Sequence, residues 1–135
     1  MIKRSYAILV PSVAVYIGSL LLPAFEFRHH APVMGIDVLI WGWFGFLFLN
    51  PAWLANPVFM VTTRFLMAER YRLAVLSSFC AVLLGLMSPL AKVWCFDEGM
   101  STPIDRFGPA FYVWMASLCI LLVGSLWIFL AETRH

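Results

Sequence analysis

Two clusters and three scattered thiols are the residues of this chain whose types could do chemistry. The first cluster is Asn50-Pro51-Ala52-Trp53-Leu54-Ala55-Asn56-Pro57, which repeats an Asn-Pro pair inside a long apolar run. Each proline removes a backbone donor and crowds the carbonyl four residues back. The residue before it is pushed away from helical geometry, and Asn can bond the backbone groups so freed. Broken helices with exposed ends build substrate and ion sites in transporters. Asn50, Trp53 and Asn56 are therefore the candidate ligand-binding or pore-lining residues. The plainer alternative is a kink that lets the segment tilt and pack, and the residue pattern favours it. Asn50-Pro51-Ala52 also spells the aquaporin motif. That fold needs two such motifs in separate half-helices of a longer chain, whereas these pairs are nearly adjacent.

The second cluster is Glu26, His29, His30, Asp97 and Glu98, with Cys95 nearby in the chain. Imidazole, carboxylate and thiolate are zinc ligands. Their spacing fits no known zinc pattern, and adjacent histidines in an extended loop point to opposite sides. A solvated acidic loop is the competing reading. Of the cysteines, Cys80 and Cys119 lie in apolar runs and are expected to be buried packing residues. Cys95 has no partner on its side of the chain, so no internal disulfide is expected. No phosphate loop, H-E-x-x-H or Ser-His pair is present, so neither a cofactor nor an enzyme is implied.

The elements that must carry these residues follow from composition. The chain has 135 residues, of which 63% are hydrophobic and 12% charged, and its mean hydropathy is +0.91. Soluble domains carry about 25% charged residues. So small a chain cannot hide this much apolar surface inside itself. The expectation is an all-α membrane protein in a single domain, a bundle of four transmembrane helices. The net charge of +2 excludes a nucleic-acid binder.

Uncharged runs place the spans at about residues 5–22, 38–63, 73–91 and 110–131. A signal peptide is the rival reading of the first. The second is the broken or kinked one: helix from about Val38 to Leu49, an irregular stretch near 50–57, then helix to about Met67. Pro109 suits the first position of the last helix. Lys3, Arg4, Arg64, Arg70, Arg72 and Arg134 fall on one side; Arg28, Lys92 and Arg106 fall on the other. The positive-inside rule then puts both termini in the cytoplasm. Residues 24–36 and 92–108 become outer connecting loops. Gly18/Ser19, Gly42/Gly45, Gly85/Ser88 and Gly124/Ser125 are small pairs that allow close helix approach. No span holds an ionisable Asp, Glu, Lys, Arg or His, which argues against a proton-coupled pump.

Leu22-Pro23-Ala24-Phe25-Glu26, Gly42-Trp43, Ala52-Trp53-Leu54-Ala55-Asn56-Pro57, Asp97-Glu98-Gly99 and Phe107-Gly108-Pro109 occur in that order. With Tyr112-Val113-Trp114-Met115-Ala116-Ser117 they resemble a group of uncharacterised small bacterial four-span proteins. The resemblance covers most of the chain, and its most specific part is the Ala-Trp-Leu-Ala-Asn-Pro string. It implies a multi-pass protein of the bacterial inner (plasma) membrane and brings no activity with it. Three functions remain in play. One is a non-enzymatic protein that packs against a membrane partner, as an accessory subunit, immunity-like protein or sensor. The second is a homo-oligomeric pore, facilitator or membrane effector. The third is an outward-facing metal or small-ligand sensor.

Overall fold

The computed structural model describes residues 2–27, 31–41, 52–88, 93–97, 100–104 and 106–134. Helix dominates. The α-helices are α1 (Ile2–Leu20), α2 (Gly35–Trp41), α3 (Ala55–Met67), α4 (Tyr71–Gly85) and α5 (Pro109–Thr133). A 3₁₀ turn, Ala52–Leu54, leads into α3. Among the described residues one helix, α5, is long and apolar enough to cross a membrane. Shorter apolar stretches run over Arg4–Leu20 and Tyr71–Gly85.

α5 packs against α1 on one side and α4 on the other, and α4 packs on α3. The seams carry a consistent chemistry. α1 buries Ser5, Ile8, Leu9, Ser12, Tyr16 and Ser19, in steps that keep to one helical face. α4 buries Tyr71, Ala74, Ser78, Ala81 and Gly85. α5 buries Ala110, Ser117, Leu118, Leu121, Ser125 and Ile128. Small and hydroxyl side chains thus share the contacts with large apolar ones. Several hydroxyls are satisfied within their own helix: Ser12 donates to the Ile8 carbonyl at 2.9 Å and Ser78 to the Val75 carbonyl at 3.0 Å. Other hydroxyls bind across seams, Ser5 Oγ to the Leu66 carbonyl at 3.1 Å and Thr62 Oγ1 with Ser77 Oγ at 2.7 Å. The opposite faces are large and apolar, with Val10, Ile17, Met60, Leu76, Phe79, Leu83, Val123, Trp127 and Leu130 exposed.

Several expectations are corrected. Pro57 does not extend the break. It sits in the first turn of α3, where its missing N–H has no intrahelical acceptor to lose. The irregular stretch therefore ends at Leu54, and the helix starts at Ala55. Asn50, Pro51 and the rest of 42–49 lie outside the described residues. Cys80 and Cys119 are exposed, not buried, and Cys119 lines a groove between α1 and α5 with Ile8, Pro11 and Val123. The connections that follow α1 and precede α5, expected as loops, contain strands. Strands β1 (Pro23–Glu26), β2 (Val33–Met34) and β5 (Arg106–Phe107) form an antiparallel sheet in the order β2-β1-β5. Strands β3 (Val93–Asp97) and β4 (Met100–Pro103) pair as a separate hairpin. Of the small pairs, Gly85 and Gly124 do lie at helix contacts, whereas Gly18 faces open space.

α3 ends in a Schellman arrangement. The Arg70 N–H reaches the Phe65 carbonyl at 2.9 Å and the Glu69 N–H the Leu66 carbonyl at 3.2 Å. Glu69 closes it at φ 58, a left-handed conformation that costs a residue with a Cβ about 1 kcal/mol. Glu69→Gly should raise the melting midpoint of the purified protein by about 3 °C. An unchanged or lower midpoint would count against this reading of the turn. At the α1–α5 seam a Cβ on Gly124 would lie 2.5 Å from Ile8 Cγ2. Gly124→Leu should cost about 1–3 kcal/mol through overpacking, read in the same melting experiment.

Candidate functional site

Asn56, in the first turn of α3, is 7% exposed. Its Oδ1 accepts the Tyr16 hydroxyl from α1 at 2.7 Å and the Trp114 indole N–H from α5 at 3.0 Å. Its Nδ2 donates to the Trp53 carbonyl at 3.1 Å. A primary carboxamide offers two donors and two acceptor lone pairs. Both lone pairs and one donor are taken, so the side chain is a knot between three helices. Tyr16 is further fixed by its ring, stacked on Phe59 at 4.6 Å and 17°. Ser19 Oγ, one turn on, donates to the Tyr16 carbonyl at 2.5 Å.

Trp53 is half-buried in the 3₁₀ turn, and its Nε1 donates to the Leu39 carbonyl at 2.8 Å. That bond ties the end of α2 to the entry of α3 and satisfies a carbonyl of the last turn of α2. Trp53 and Asn56, two of the proposed pore-lining residues, are thus adjacent and both engaged. Asn50, the third, lies outside the described residues.

The node is joined to the outer sheet by aromatic side chains. Phe25 and Phe107 stand opposite one another on β1 and β5, with ring centroids 5.5 Å apart at 63°. Phe107 meets Phe111 at 5.2 Å, and Phe111 meets Trp114 at 6.4 Å. The backbone closes the same junction. The Gly108 N–H bonds the Ala24 carbonyl at 2.8 Å, and a Cβ there would strike the Pro23 carbonyl, so only glycine allows the approach.

Among the proposed metal ligands, Glu26 is on β1 directly opposite Arg106 on β5, and the two form an ion pair. Asp97 ends β3, opposite Met100. His29, His30 and Glu98 lie outside the described residues. No group of three or more His, Cys, Asp or Glu that could hold a metal occurs among the described residues. Sequence reasoning missed Tyr16 and Trp114. The available signal was spacing: Tyr16 falls on the face marked by Ser5, Ser12 and Ser19. Two buried hydroxyls, Tyr71 Oη and Ser125 Oγ, have no hydrogen-bond partner.

Chemically the arrangement binds helices to one another. Among the described residues it sets no nucleophile beside a base. Comparison of the chain with protein-family models, curated proteins and solved structures found no match.

Removing the Asn56 acceptor strands the Tyr16 hydroxyl and the Trp114 N–H together. A stranded buried group costs about 1–3 kcal/mol, less where lipid lets the unfolded helices find other partners. Asn56→Leu should therefore lower stability by about 2 kcal/mol, and Tyr16→Phe by about half as much. Reversible unfolding in mixed micelles measures both. Equal losses would mean that Asn56 is not the hub.

Proposed function

We propose that the chain is a four-crossing membrane protein with both termini in the cytoplasm, acting by packing against a membrane partner and catalysing nothing. The observation that carries this reading is the outward surface: large apolar side chains stand exposed along α1, α3, α4 and α5, while Ser, Ala and Gly share the seams with Ile8, Leu66, Leu118, Leu121 and Ile128. Scattered exposed apolar residues are ordinary, but a continuous apolar stripe on α1, α3, α4 and α5 is not. Roughly ten such side chains gain about 15 kcal/mol on entering hydrocarbon, as much as a whole domain's stability. Small residues and cross-seam hydroxyls are the means by which helices associate in lipid.

Length is the test the reading must pass. α5 spans about 37 Å and α1 about 28 Å. α4 spans about 22 Å, and α3 with its preceding 3₁₀ turn about 25 Å, against a core of ~30 Å. Turns packed on protein at each end, or local thinning of the bilayer, make up such a shortfall at modest cost. The resemblance to small bacterial four-span proteins supports the same topology and the inner membrane. The engaged Asn56 carboxamide favours packing over a pore, because its oxygen is committed to Tyr16 and Trp114 and one amide hydrogen to the Trp53 carbonyl.

Single cysteines placed in a cysteine-free variant at position 69 and at position 106 should answer to opposite sides of the membrane. An impermeant maleimide added to intact cells should label 106, and 69 only after permeabilisation. Labelling of both from one side would end the four-crossing topology. Affinity purification that returns the chain alone in every lipid and detergent tried would end the partner reading.

A further inference from the structure

We infer that the α3–α4 corner binds the headgroup of an anionic phospholipid in the inner leaflet, an inference that rests on the four-crossing reading. Arg64, Arg70 and Arg72 are exposed there, within one turn of chain and its flanking helix ends. Among the described residues none of the three has an ion-pair partner, and Glu69 is the only acid between them. At the same end of the bundle Arg4 pairs with Glu132 at 3.7 Å and Arg134 stands singly at the end of α5, so this corner is where three unpaired arginines come together among the described residues.

The neighbouring surface fits the rest of the lipid. Arg64 shares the exposed face of α3 with Met60, Val61 and Met67. Arg72 begins the exposed face of α4 that continues through Leu76 and Phe79. Each apolar stripe therefore ends in a guanidinium at the inner level. Acyl chains lie along the stripes while the phosphate meets the arginines. Arg64 stands about one turn deeper than the other two, within reach of the surface for so long a side chain. Guanidinium forks bind phosphate oxygens bidentately, which free ammonium groups do not. A juxtamembrane arginine favours an anionic surface by about fivefold.

The test uses the full-length protein purified in detergent and offered equal amounts of phosphatidylglycerol and phosphatidylcholine. Native mass spectrometry counts the lipid retained. The protein should keep phosphatidylglycerol over phosphatidylcholine by at least about tenfold at about 50 mM salt, and less at about 500 mM. Arg64→Gln/Arg70→Gln/Arg72→Gln should abolish the preference, and Arg4→Gln should leave it. Inorganic phosphate at equal concentration should not displace the lipid, since it lacks the chains. Equal retention of both lipids by the unaltered protein, or equal loss in the Arg4→Gln variant, overturns the site. Carbonate extraction from pure phosphatidylcholine vesicles separates the two readings. If the protein stays inserted yet shows no preference, only the headgroup site falls. If carbonate strips it from the vesicles, the four-crossing reading falls and the site with it.

Discussion

Close approach of helix backbones across small side chains is the constraint on which this structure depends. Gly124 must let Ile8 in, and Gly85 must let Met115 and Leu118 in. The seams hold Ser, Ala and Gly beside Leu66, Leu118, Leu121 and Ile128, and many further large apolar residues are left facing out. In water that arrangement would forgo the main driving force for folding. In hydrocarbon nothing is lost, because lipid is as apolar as Leu, and packing with interhelical hydrogen bonds decides the fold instead. The chemistry of the seams and the chemistry of the exterior are therefore one fact seen from two sides.

Polar bonds then fix which helices close the ring. α1 and α3 share few contacts, yet the bonds between them are specific. Ser5 reaches the Leu66 carbonyl at one end, and Tyr16 reaches Asn56 toward the other. Asn56 also takes Trp114 of α5, so one carboxamide sets the relative height of three helices. Above it the Phe25–Phe107–Phe111 series and the Gly108–Ala24 bond seat the small sheet on the bundle. The Glu26–Arg106 pair locks that sheet at its rim, where solvent weakens its contribution.

The start of α5 at Pro109 was legible because proline suits a first helical turn, and the end of α3 near Met67 because the polar run through Arg72 follows it. The contacts at Gly85 and Gly124 were legible for the same kind of reason. Other features were not. α4 and α5 are apolar nearly all round, so hydropathy does not tell the buried face from the exposed one. That is why Cys80 and Cys119 were expected inside and lie outside. Pro57 was read as a breaker when its place in a first turn makes it harmless. The partners of Asn56 lie 40 and 58 residues away, beyond any local rule. The strands of the outer connections depend on pairing across the chain, Phe25 with Phe107, which neither segment signals alone.

The central claim is that the outward faces of the helices meet lipid. Nitroxide labels placed one at a time along α4 in proteoliposomes test it most directly, through collision with oxygen and with a water-soluble nickel relaxant. The account predicts high oxygen and low nickel accessibility at positions 76, 79 and 83, and low accessibility to both at 74, 78 and 81. Strong nickel accessibility at 76, 79 and 83 would mean that water covers that face, and the account would be contradicted.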